Sequence, residues 1–431
     1  MSYEYKTAPL PWLSQIPQHW GLARNKTVLS ETKETVGANH ISYQLLSLTK
    51  GGVIIRDLLT GKGKFPSDFG TYKIVNDGQI IFCLFDIDET PRTVGLSKYN
   101  GMITGAYDVF SISGANPRYI EYYYLSLDDV KAMRPLYTGL RKVIGINTFM
   151  QTHIPLPPRE EQDQIVRYLD WKVSQINKLI NAKRRQIGLL QEKRQLLISE
   201  NLEGNHVWLK RVLVAPFQYG ANESGVDYSP SLPRYIRITD ISSDGKLKED
   251  GAKSLNDDVS ILYILDDGDI LLARSGATAG KAFLYKAEHG SCAYAGYLIR
   301  AKIDKNVLLP EYFMYVVSGH DYDQWKNSIF IQATIQNISA ERYGQLPIPI
   351  PTMTRQQVIV KYLDENCKRI DEIVSKLNEE IRLFAEYRTR LVSDVVTGKK
   401  DVRSVAVPQY ETIKDSIVAE TDCNIEEDLH E

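Results

Sequence analysis

The stretch IPLPPREEQDQIVRYLD at residues 154–170 returns as IPIPTMTRQQVIVKYLD at residues 348–364, at a constant offset of 194 residues. Any fold for this chain must therefore place the same proline-rich lead-in, the same glutamine and the same Tyr-Leu-Asp ending twice. Both copies continue as amphipathic patterns. In the first, Ile165, Leu169, Val173, Ile176, Ile180, Ile187, Leu190 and Leu197 recur at three- and four-residue steps. In the second, Ile359, Leu363, Cys367, Ile370, Val374, Leu377, Ile381, Phe384, Leu391 and Val395 keep the same register. This spacing predicts two long helices with a coiled-coil-like seam, centred on Ile176, Ile180, Ile187 and Leu190 in one and on Ile370, Val374, Ile381 and Phe384 in the other.

The ends of both helices are marked. Pro155, Pro157 and Pro158 stand before the first, with Glu160 and Glu161 in its first turn, and Gly204 closes it. Pro349 and Pro351 precede the second, with Thr352 as a plausible N-cap, and Gly398 closes it at the same offset. Each helix is then about 45 residues, roughly 65 Å at about 1.5 Å per residue. A helix that long with one apolar stripe cannot bury the stripe alone, and its economical partner is the other copy. Antiparallel pairing would put the intervening globular parts at opposite ends of a rod; parallel pairing would put them side by side.

The globular parts echo each other more faintly. NDGQIIF (76–82) matches DDGDILL (266–272), IEYYYL (120–125) matches PEYFMY (310–315), and Asn147 falls on Asn337. Short alternating strands punctuated by glycine run through both. The sequence thus predicts an α+β chain built as an internal repeat: a globular part over 1–150, a helix over 151–204, a second globular part over 205–345, a second helix over 346–400, and an acidic tail over 401–431.

A length of 431 residues suits several domains, and 43% hydrophobic with 25% charged residues reads as soluble and globular. No apolar run approaches the roughly 18 residues of a membrane span, and the start MSYEYKTAPLPWL lacks a signal pattern, so the expected address is the cytoplasm. Cys83, Cys292, Cys367 and Cys423 form no C-x-x-C pair, which supports neither a zinc site nor a disulfide framework. The formal net charge is −2, but residues 401–431 hold nine acids against Arg403 and Lys414. The rest of the chain is therefore mildly basic, which permits a nucleic-acid partner without proving one.

Catalytic signatures are missing from the sequence. LLARSGATAGKAF (271–283) resembles a phosphate loop, but Ser275 stands where the first glycine belongs and Ala282 follows Lys281 where a hydroxyl would hold magnesium. No methyltransferase-type acidic-or-amide, proline, proline, aromatic motif occurs. Asp244-Gly245-Lys246 fits a turn better than a nuclease site. The expectation is a chain that is not an enzyme by itself.

Two variable globular parts, each followed by I-P-hydrophobic-P, then Q, then I-V, a basic residue and Y-L-D, and then a long helix, resemble the specificity subunit of type I restriction-modification enzymes. The opening PWLSQIPQHW and the ending TGKKDVRSVAVPQYE extend the resemblance over nearly the whole chain. It implies that the globular parts are target recognition domains, each reading one half of a bipartite, asymmetric site in double-stranded DNA. It further implies that the helices form an antiparallel rod that fixes the gap between the halves. Two methyltransferase subunits and restriction subunits would dock, and S-adenosylmethionine, ATP and magnesium would belong to those partners, leaving this chain without a cofactor. The second copy departs from the first in having Thr354-Arg355-Gln356 where the first has Glu160-Glu161-Gln162.

Candidate DNA readers are polar, in loops and near basic residues. In the first globular part they are Lys62, Lys64, Lys73, Arg92, Arg141 and Lys142; in the second, Arg274, Ser275, Lys281, Gln332, Thr334, Gln336 and Asn337. Arginine pairs with guanine, and asparagine or glutamine with adenine, in the major groove. Competing readings are a coiled-coil scaffold whose globular ends bind proteins, and the specificity subunit of a related type II system. The scaffold predicts no salt-sensitive DNA affinity, whereas a DNA reader predicts a steep loss with salt.

Overall fold

The computed structural model describes residues 3–56, 69–137, 142–242, 245–330 and 336–414. The chain divides into two compact units, residues 1–185 with 377–431, and residues 186–376. The two long helices run over Arg159–Asn201 and Met353–Val396, so each contributes one part to each unit.

In the first unit a four-stranded antiparallel sheet has the order Leu29–Thr32, Asp108–Ile112, Ile80–Phe82, Val94–Leu96. In the second unit the order is Gln218–Tyr219, Leu298–Ala301, Ile270–Ala273, Ala282–Leu284, the same path at nearly constant offset. The strand carrying each proline-rich lead-in also finds an equivalent partner. His153–Leu156 pairs antiparallel with Gly21–Arg24, and Pro347–Ile350 with Asn205–Trp208. The paired NDGQIIF and DDGDILL segments build the same turn: the Asn76 N–H donates to the Gln79 side chain, and the Asp266 N–H to Asp269. The match of Asn147 with Asn337 does not hold. Asn147 lies in the helix Ile146–Gln151, whereas Asn337 precedes the equivalent helix Ala340–Gly344, because the second copy has gained residues after its last sheet strand.

Tyrosine-rich stretches turn out to be core. Tyr119, Tyr123 and Tyr124 of the helix Pro117–Asp128 are fully buried, as are Tyr294, Tyr312 and Tyr343 of the second unit. Buried phenols need acceptors. Tyr119 donates to the Pro155 carbonyl, Tyr124 to the Asn25 side chain and Tyr343 to the Ala273 carbonyl. Burial pushes all three phenols far above their ordinary pKa, so they act as fixed donors.

The helix parts run antiparallel within each unit. In the first, Arg388 donates to Asn177 at 2.6 Å and Lys183 pairs with Glu380. In the second, Arg194 meets Asp371 at 3.1 Å and Arg355 meets Glu203 at 2.6 Å. Ile176 and Ile180 are buried in the first unit's core, with Ile381 and Phe384 packed against it; Ile370 is buried in the second unit, and Ile187, Leu190 and Val374 are half-buried. The closing glycines are sterically required. Gly204 has φ +119°, and a Cβ there would meet the Ile350–Pro351 backbone at 2.5 Å. At Gly398 (φ +75°) it would meet Pro17 at 2.4 Å.

The doubled motif has a direct structural meaning. Gln162 and Gln356, both buried, hold the globular parts onto the helices. Gln162 accepts from the Asn116 N–H at 2.8 Å and donates to the Pro157 carbonyl. Gln356 accepts from the Leu309 N–H at 2.8 Å and donates to Pro351 and Val307. Two turns further on, Asp170 accepts from the Tyr122 hydroxyl at 2.7 Å, and Asp364 from Tyr315 at 2.6 Å. Where the copies differ, their tethers differ: buried Glu161 accepts from Tyr3 and Trp20, while Arg355 pairs with Glu203. The role of Glu161 is therefore anchoring the amino-terminal segment as well as sitting at the positive end of the helix dipole.

Replacing either glutamine with alanine orphans a buried N–H and at least one carbonyl. Gln162→Ala and Gln356→Ala are each expected to cost about 1–3 kcal/mol, read as a lower urea midpoint of the full chain.

Candidate nucleic-acid interface

The second unit brings several of the sequence-predicted readers to one loop cluster. Strand Ile270–Ala273 runs out into Arg274 and Ser275, and Ser275 bridges Asn337 in antiparallel fashion. The Gly276 N–H donates to the Gln336 carbonyl, and the Ile338 N–H to the Arg274 carbonyl at 2.8 Å. Gly276, at φ +76°, makes the tight reversal that an L side chain would strain. Gln336 and Asn337 are exposed, and Ser275 is half-exposed. Lys281 closes the same loop, its carbonyl accepting from the Ala273 N–H.

Arg274 is fixed but incompletely satisfied. Its guanidinium lies over the Tyr219 ring at 5.1 Å, and its buried Nε–H has no acceptor among the described residues. An arginine pre-oriented by an aromatic face with a donor to spare is suited to an incoming acceptor. Sequence reasoning missed Tyr219 and Tyr297. Tyr297 is 62% exposed and Tyr219 41%, and the Tyr297 carbonyl accepts from the Arg274 N–H. The available signal was a tyrosine beside glycine at a strand end, in QYGAN and in AGYL.

The first unit forms the corresponding tip with different chemistry. Phe85 bridges Val143 where the second unit has Ser275 and Asn337, and Phe85 stacks on Tyr107. The loop after Phe85 is acidic, with Asp86 at φ +43°. Lys142 is at this tip, paired with Asp88 at 3.3 Å and with Glu89, and both contacts hold its ammonium above the usual lysine value. Asp88 is held below the usual carboxylate range, chiefly by the Tyr137 hydroxyl. Two other candidates are elsewhere. Lys73 is tied to Asp108 at 2.9 Å in a part-buried pair, and Arg92 reaches Asp128 and Asp129 on the wall of a cavity beside the long helices. Lys62, Lys64, Arg141, Gln332 and Thr334 lie outside the described residues.

The phosphate-loop-like segment resolves as a strand connection. The Ser275–Lys281 loop joins two adjacent strands of the sheet and opens no helix long enough to cradle phosphate. The Lys246 N–H donates to the Ser242 hydroxyl and the Ser242 N–H to the Lys246 carbonyl, while Asp244 lies outside the described residues. No helix among the described residues is long and apolar enough to cross a membrane.

The family model for the type I restriction modification DNA specificity domain matches residues 72–188 and 227–383, well over half of the chain. The chain belongs to this family. The chain is also similar to the StySPI specificity subunit of a type I restriction enzyme from Salmonella potsdam, 22% identical over 134 residues. That match covers 30% of this chain and 28% of the relative, so the chain aligns with less than a third of its length. A chain from a structure concerned with complex assembly and conformational transition of the type I R-M system has a TM-score of 0.67 at 15% identity, covering 89% of this chain and 99% of that one. The crystal structure of the HsdS subunit from Thermoanaerobacter tengcongensis has a TM-score of 0.47 at 15% identity, with 89% and 98% covered. The chain thus has the expected α+β fold with two repeated domains.

Arg274→Ala and Asn337→Ala are expected to weaken DNA binding of the assembled complex by about 1–3 kcal/mol each while leaving thermal unfolding unchanged. Lys73→Ala is expected to do the reverse, lowering the melting temperature and sparing affinity. Fluorescence anisotropy and thermal melts of the same preparations separate the two outcomes.

Proposed function

We propose that this specificity subunit reads a bipartite, asymmetric DNA site, one half-site per unit, and directs partner subunits that carry the chemistry. The observation that carries this reading is the contrast between the two tips. One scaffold is built twice, down to the same glutamine and aspartate ties, yet it presents Arg274, Ser275, Gln336 and Asn337 in one unit and Phe85, Asp86, Glu89 and Lys142 in the other. Arginine and asparagine are suited to guanine and adenine, and carboxylates to the cytosine amino group, so the tips suit different sequences.

Docking of two methyltransferase subunits is supported by exposed apolar residues that recur at the repeat offset. Leu179 and Ile373 are 48% and 46% exposed; Leu189 and Leu383 are 65% and 50% exposed. Large apolar side chains kept exposed at the same place in both copies of a charged helix suit one kind of partner bound twice. In this reading S-adenosylmethionine, ATP and magnesium are bound by methyltransferase and restriction subunits, and this chain is non-catalytic and cytoplasmic.

Two experiments test the reading. Exchanging residues 21–150 for the matching segment of a related chain is expected to change one half of the methylated site and leave the other intact; changes in both halves would refute one reader per unit. Leu179→Glu and Ile373→Glu are each expected to remove one methyltransferase subunit from the complex, and a native mass spectrum with both retained would refute the docking sites.

A further inference from the structure

The carboxy-terminal residues 401–414 are held like a bound peptide. They follow the reversal at Gly398 and form no helix or strand of their own. Four polar side chains of the first long helix hold their backbone. Gln164 Nε2 donates to the carbonyls of Val402 at 3.0 Å and Val405 at 2.7 Å. The Ser174 hydroxyl donates to the Glu411 carbonyl at 2.6 Å and accepts the Ile413 N–H at 2.8 Å. Asn177 Nδ2 donates to the Ile413 carbonyl at 2.9 Å, and Asn181 Nδ2 to the Lys414 carbonyl at 2.8 Å. Because each of these bonds meets main chain, the groove selects one backbone path, with a turn at 402–405, in one register more than it selects side chains.

Apolar and cationic contacts add anchors. Val402 is fully buried, and Val405 and Val407 pack on the same core. The Arg403 guanidinium lies 4.6 Å from the Tyr3 ring, and the Lys400 ammonium 5.6 Å from the Tyr168 ring. The repeat breaks at the holding positions. Those equivalent to Gln164, Ser174, Asn177 and Asn181 in the second long helix are Val358, Lys368, Asp371 and Ser375, none of them an amide. The copies that share their glutamine and aspartate ties therefore differ where this segment sits, so the groove is a feature of the first copy alone.

The segment also closes a cavity of about 540 Å³. Thr412, Ile413 and Lys414 form one wall; the hairpin residues Val53 and Ile54 and the helix residues Tyr122 and Leu125 form others. The strap is thus seated between the first globular part and the long helices, within the same unit.

We propose that residues 401–414 are a detachable intramolecular ligand of the first long helix, and that their groove binds a peptide of this sequence. The strap fastens the first globular part to the helices, and its release opens groove and cavity together. Within one chain the effective concentration is in the millimolar range, so the strap outcompetes a free peptide until the ladder is weakened. Ile413→Pro removes the N–H that Ser174 accepts, at a half-exposed position outside the core.

The test uses the full chain, the Ile413→Pro variant and a fluorescein-labelled peptide of residues 401–414. Wild type is expected to leave low-micromolar peptide unbound. The variant, folded by circular dichroism, is expected to show hydrogen exchange at least tenfold faster over 402–414 and to bind the peptide saturably. Adding Ser174→Ala and Asn177→Ala should weaken that binding at least tenfold. Unchanged exchange in Ile413→Pro would overturn the ladder, and so would an opened strap with no saturable peptide binding, or binding indifferent to Ser174 and Asn177.

Discussion

Two buried glutamine side chains organise the molecule. An unpaired amide in a protein interior is costly, so Gln162 and Gln356 can be buried only where a backbone N–H and a carbonyl meet them. Those partners sit at the start of the helix at Pro117–Asp128 and just ahead of the helix at Pro310–Val316. Satisfying the amide therefore fixes where each globular part meets its long helix, and the Tyr122–Asp170 and Tyr315–Asp364 bonds fix its rotation. The doubled sequence motif is the set of residues that makes this joint.

With the joint constant, the rest of each unit is free to vary. The four-stranded sheets keep one strand order, yet the loops leaving their central strands differ in charge and aromatic content. This division of labour suits a specificity subunit, because loops on a rigid scaffold carry recognition while the scaffold keeps their geometry. The departures from symmetry follow the chain ends. Glu161 gathers the amino-terminal segment through Tyr3 and Trp20, and Gln164, Ser174 and Asn177 gather residues 402–413, so the first unit is completed by segments from both sides of the repeat.

The long helices, their closing glycines and the repeat were legible because their signals are periodic or doubled. Ile176, Ile180 and Ile370 could be placed on a buried helix face from spacing alone. The placement of the candidate readers was legible only in part. Ser275, Gln336 and Asn337 emerge beside a strand end that glycine punctuation marks, but Lys73 and Arg92 look the same in sequence and are spent on Asp108 and on Asp128 and Asp129. Ion pairing between residues tens of positions apart leaves no local trace. Tyrosines were ambiguous because residue type alone does not place them: Tyr123 is wholly buried and Tyr297 is exposed. The strap at 401–414 has an aperiodic sequence of no net charge that hides its seat, because its bonds use main chain, which every sequence carries.

The most direct test of two different readers on one repeated scaffold is to map methylated bases across the genome of a host that makes this chain together with its methyltransferase partner. The account predicts one motif made of two unlike half-sequences separated by a fixed stretch of unread base pairs. A continuous motif, or two identical half-sequences, would contradict it.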